Sequence, residues 1–170
     1  MNMSDLVFLI ISAFTVASAL VVVLSRNIIH SALALILTFL GVAMTFFDLD
    51  AGFLGLVQIL VYAGAVSVLI IFAIMLVMKS DPKSTNPPVA SRDTGFVGGL
   101  LAWLVVIGLG TAIGLSRWPS LPNAPEGYDA VADLATLLLG NYVVAFEAAA
   151  VLLLLAVVGA IILARGAEKS

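Results

Sequence analysis

The chain has 170 residues, 63% of them hydrophobic and 10% charged, with a formal net charge of -3 and a mean hydropathy of +1.25. A globular domain of ordinary composition is nearer half apolar and a quarter charged, so these figures exclude a sizeable soluble domain and define a polytopic membrane protein. The absence of cysteine excludes disulfides, thiolate-held clusters and cysteine zinc sites carried by this chain, so any redox chemistry belongs to a partner.

A helix needs about 20 apolar residues to cross the hydrocarbon core, and five stretches qualify, at about 6–24, 28–47, 53–78, 95–115 and 142–164. The expected fold is all-α, a single transmembrane domain over residues 1–170 with five spanning helices. In the first stretch Ala17-Ser18-Ala19 resembles a signal cleavage site. Asp5 stands where a signal would carry Lys or Arg, so the segment reads as a retained helix. Ser25-Arg26-Asn27 then makes a tight hairpin, with Asn27 as N-cap and Arg26 as a headgroup anchor. His30 is the only histidine and stands in the first turn of helix two; alone it makes no metal site, and its readings are an interfacial hydrogen bond or a proton relay. The turn from Asp48 to Gly52 is equally short, so helices one to three are expected to pack as consecutive antiparallel neighbours.

The third stretch, Phe53 to Met78, is free of charge yet carries Gln58, Tyr62, Gly64 and Ser67. At 1.5 Å per residue it is about 39 Å long against a core of roughly 30 Å, so it must tilt, protrude or distort. Polar side chains are costly against lipid and are expected to face other helices or internal water. On a regular helix Gln58, Tyr62 and Ala65 share a face and Ser67 lies nearly opposite. Gly64 and Ser67 lower the cost of inserting one residue into a turn, a π-bulge, and one residue is about 100° of rotation, enough to swing Leu69 and Phe72 into or out of an internal path. The alternative is plain small-residue packing, with Ala63 and Ser67 as a small-xxx-small pair.

Beyond it, Lys79 to Thr94 is a polar loop with Pro82, Pro87 and Pro88, open to a partner. Gly110 and Gly114 make a GxxxG spacing in helix four, a weak signal by itself. The loop from Ser116 to Asn141 opens on three prolines, and its second half reads as a short amphipathic surface helix ending at Gly140. In the last stretch Glu147 is the only formal charge well inside a span. It is either an ion-path residue, whose burial would raise its pKa, or a carboxylate snorkelling to the interface marked by Tyr142.

Arg26, Lys79, Lys83, Arg92, Arg165 and Lys169 fall on one side of a five-helix arrangement and Arg117 alone on the other. The positive-inside rule puts the N-terminus outside and the C-terminus in the cytoplasm. There is no dinucleotide fingerprint, phosphate loop, Ser/His/Asp set, internal repeat or basic stripe for nucleic acid, so the chain has no catalytic site of its own.

The run Gln58-Ile-Leu-Val-Tyr62-Ala-Gly64-Ala65-Val-Ser-Val68-Leu69-Ile-Ile-Phe72 closely resembles the third helix of the subunit J family of bacterial NADH-quinone oxidoreductase, respiratory complex I, whose mitochondrial counterpart is subunit six. Arg26-Asn27-Ile-Ile-His30-Ser-Ala32-Leu33 and Phe146-Glu147 with Leu152 to Ala160 agree with the same family. The resemblance implies a five-helix, multi-pass subunit of a bacterial inner membrane, held among the other membrane and peripheral subunits of complex I. It implies no cofactor in this chain, with NAD, FMN, iron-sulfur clusters and quinone in partner subunits. It also implies a π-bulge near Tyr62 and Gly64 whose conversion to regular helix gates a water path, coupling quinone reduction to proton translocation, with Leu69 and Phe72 downstream. Where some relatives carry an acidic residue this chain has Gln58, which leaves that position a hydrogen-bonding role. Two other readings stand beside this one: a module of a multisubunit cation/proton antiporter or membrane-bound hydrogenase, and a purely structural membrane spacer.

Overall fold

The computed structural model describes residues 3–77, 92–117 and 128–166. All regular structure among them is helical: α1 (Met3–Leu24), α2 (Ile28–Asp48), α3 (Gly52–Val77), α4 (Arg92–Leu115), α5 (Ala130–Leu139) and α6 (Val143–Gly166). Among the described residues five helices, all but the ten-residue α5, are long and apolar enough to cross a membrane. They match the five stretches expected from hydropathy to within about three residues at each end. Met78, the loop expected from Lys79 and the proline-rich half of the loop after Ser116 lie outside the described residues, save for short pieces at their edges.

The chain falls into two compact units, Met1–Pro122 and Asn123–Ser170. In the first, α2 is the middle element, packed against α1 and along the whole of α3. The α1–α2 hairpin is set by its cap: the Asn27 side chain accepts from the Ile29 amide at 2.9 Å, a bond worth about 1 kcal/mol to a helix start. The two helices then approach closely at Gly41, where an added Cβ would lie 3.0 Å from Thr15 Cβ. Without a hydrophobic force between helices in lipid, such backbone proximity is the main source of packing energy.

The α2–α3 turn ends α2 with a Schellman pair. The Asp50 amide donates to Phe47 O at 3.2 Å and the Ala51 amide to Phe46 O at 2.9 Å, which places Asp50 at a left-handed φ of 56°. Phe39, whose ring meets that of Tyr62 in α3, lies two residues from Gly41, about 200° round the helix. One face of α2 therefore meets α1 and the other meets α3. The described side chains of α4 are all exposed.

In the second unit α5 packs on α6. Asp129 caps α5 by accepting from the Val131 and Ala132 amides at 3.0 and 3.1 Å. The helix stops at Gly140, whose amide donates to Thr136 O at 3.0 Å. Leu134 and Leu138, four residues apart, are its half-buried positions. Just before the cap, the Tyr128 hydroxyl donates to the Asp133 carboxylate at 2.9 Å. That hydrogen bond and the carboxylate's charge push the phenol above its ordinary pKa.

Candidate functional site

The third helix is not regular. Gly52–Val57 and Ser67–Val77 are α-helical, but the nine residues between them, Gln58–Val66, form a π-helix, the wide form whose hydrogen bonds span five residues. At nine residues the distortion runs to about two turns, longer than the usual single-turn π-bulge. It contains Gln58, Tyr62 and Gly64, and it ends against Ser67.

Four contacts define it. The Tyr62 ring meets the Phe39 ring of α2 edge to face, with centroids 5.5 Å apart and planes at 67°, an arrangement favoured by the ring quadrupoles. The Ser67 amide reaches both the Tyr62 and Gly64 carbonyls at the junction with the α-helix. The Ser67 hydroxyl donates to Tyr62 O at 2.8 Å. Finally, a Cβ added at Gly64 would lie 3.3 Å from the carbonyl oxygen of Ile59. That carbonyl is five residues back, the acceptor position of a wide turn, and a Cβ at residue 64 would need it to give by a few tenths of an ångström.

Ser67 overturns a simple helical projection. A regular helix puts it nearly opposite Tyr62, but the extra residue per wide turn removes about 100° of that separation. Ser67 is only 1% exposed, in the part of α3 that packs on α2. Tyr62 itself is 47% exposed. Gln58 is half-buried, while Leu69 and Phe72 are exposed on the surface of the single chain. Glu147 belongs to the second unit, four residues into α6, and its side chain is exposed there. His30 is exposed in the first turn of α2. Phe39 was not among the residues the sequence singled out. Its only signal is an aromatic ring in α2, and its alignment with Tyr62 depends on the turn at Asp50. Among the described residues no three His, Asp or Glu side chains come together in a way that could hold a metal ion.

Five apolar spans, a hairpin-packed first unit and a wide-turn stretch inside one span define a multi-pass helical membrane protein with a built-in irregular helix. The family model of NADH-ubiquinone/plastoquinone oxidoreductase chain 6 matches residues 18–163. The chain is 39% identical over 158 residues to NAD(P)H-quinone oxidoreductase chain 6 of Synechocystis sp., covering 93% of this chain and 79% of that one. It is 35% identical over 162 residues to NADH-quinone oxidoreductase subunit J of Rhodobacter capsulatus, covering 92% and 79%. It is 34% identical over 160 residues to F(420)H(2) dehydrogenase subunit J of Methanosarcina mazei, covering 94% and 90%. The chain belongs to the NADH-ubiquinone/plastoquinone oxidoreductase chain 6 family.

Proposed function

We propose that this chain is a membrane-arm subunit of a proton-pumping NADH-quinone oxidoreductase, and that its third helix gates a hydrated path by passing between wide and regular turns. The observation that carries this reading is the nine-residue π-helix at Gln58–Val66 inside an apolar span. A wide turn is strained relative to an α-helix, and long ones persist where they have a use. Making or removing the extra residue turns everything beyond it by about 100°, so Leu69 and Phe72 would enter or leave the path as a unit.

The relatives support a role apart from electron input. Those named for NADH, for NAD(P)H and for F(420)H(2) share this subunit, so its task is common to enzymes that differ in electron donor. In this reading Tyr62, Gly64 and Ser67 form the switching segment, Gln58 is a hydrogen-bonding wall, and Glu147 lies on the proton route. The redox groups sit in partner subunits. The chain lies in a bacterial inner membrane with its N-terminus outside and its C-terminus in the cytoplasm, as the placement of Lys and Arg favours.

The test is Gly64→Leu in the assembled complex. Electron flow from NADH to a water-soluble acceptor stays normal while quinone-linked proton translocation fails. A normal proton yield in that variant contradicts gating at this helix.

A further inference from the structure

The hydroxyls of Thr15, Ser18, Thr38 and Thr45 each donate to the carbonyl four residues back, at 2.8, 2.8, 3.0 and 3.1 Å, the ordinary choice of such a side chain in an α-helix. Ser67 alone among these reaches five residues back, to Tyr62 O at 2.8 Å. Its own amide reaches the same oxygen. The hydroxyl therefore follows the register of the backbone, and on reversion to an α-helix it would find the Ala63 carbonyl instead. Hydrogen bonding by itself leaves the two registers nearly balanced.

Packing does not. Five residues at about 100° each put Ser67 about 140° from Tyr62 on an α-helix, and the wide turn reduces this to about 40°. Tyr62 touches α2 through Phe39, and Ser67 is 1% exposed on the segment packed against α2. Both residues can face α2 only while the turn between them is wide. An α register keeps one of the two contacts and gives up the other. Ser67 is 1% exposed and the largest described side chain so fully enclosed, so a longer side chain there has no open space to enter and must displace a neighbour.

We propose that Ser67 is a positioning residue that holds α3 in the wide register: its small size lets residue 67 seat against α2 on the same side as the Tyr62–Phe39 contact, and its hydroxyl stays bonded while it does so. This rests on the gating reading above and names what sets the resting state of that gate.

The test is the structure of the intact complex carrying Ser67→Leu, determined by electron cryo-microscopy beside Ser67→Ala. Ser67→Leu converts residues 62–67 to four-residue spacing and turns the side chain at 67 away from α2, whereas Ser67→Ala keeps the wide stretch. A Ser67→Leu complex that retains the five-residue spacing with residue 67 still against α2 overturns the proposal, as does a Ser67→Ala complex that reverts to an α-helix. Where Ser67→Leu fails to assemble, Ser67→Val is read by the same two outcomes. Proton yield on the same preparations separates this role from gating. An α register with a normal yield keeps the positioning role and refutes the gate; a wide register with a lost yield does the reverse.

Discussion

The rings of Phe39 and Tyr62 meet edge to face at 5.5 Å and 67°, and this contact ties the wide stretch of α3 to the middle helix of the first unit. An aromatic pair of this geometry contributes about 0.5–1.5 kcal/mol beyond its buried area. A double-mutant cycle with Phe39→Leu and Tyr62→Leu, read by unfolding of the chain in detergent micelles, yields a coupling energy in that range. Additive effects would mean that the rings are neighbours without being partners.

Gly41 is a point of close approach between α2 and Thr15 of α1. Gly41→Ala places a methyl group 3.0 Å from Thr15 Cβ, and overpacking of this kind costs about 1–3 kcal/mol. Thr15→Gly removes the opposing Oγ1 and Cβ and leaves the Cα at 3.2 Å, so the double variant recovers part of the loss. The same micelle unfolding measurement checks both.

Asp50 holds a left-handed φ of 56° at the end of α2. Glycine takes that conformation freely, while a β-branched residue meets a penalty of roughly 1–2 kcal/mol. Asp50→Gly is therefore neutral or mildly stabilising and Asp50→Val destabilising, as thermal unfolding would report. Equal stability of the two variants would show that the turn is not held in this conformation.

The ten-residue α5 depends on its cap. Asp129→Ala leaves the Val131 and Ala132 amides without their side-chain acceptor and costs about 1 kcal/mol, a large share of what a helix this short can muster. Amide hydrogen exchange in the first turn of α5 rises about fivefold or more, while exchange in α2 is unchanged.

How much of this was legible beforehand follows from what each feature depends on. Spans are set by composition and length, and all five were readable, as were the Asn27 cap and the short helix that stops at Gly140, because caps and stops are local chemistry, whereas the Asp129 cap was not singled out. The irregularity of α3 was signalled by Gly64 and Ser67, which make a wide turn cheap, and by the resemblance around Tyr62. Its extent was not. Nine residues of wide turn reflect where Phe39 meets Tyr62 and where residue 67 seats on α2, and both are long-range contacts. Placing Ser67 opposite Tyr62 failed for the same reason, since it assumed 100° per residue across the one stretch that departs from it. Glu147 is exposed in its unit, a placement that hydropathy alone could not separate from a buried one.

The central claim is that α3 alternates between two registers as the complex works. Electron cryo-microscopy of the intact complex at rest and during steady NADH oxidation with quinone tests it most directly. The account predicts a turnover population in which residues 58–66 have four-residue spacing and Leu69 and Phe72 are rotated about the helix axis by about 100° for each extra residue removed. A nine-residue wide stretch that stays unchanged in every population would contradict it.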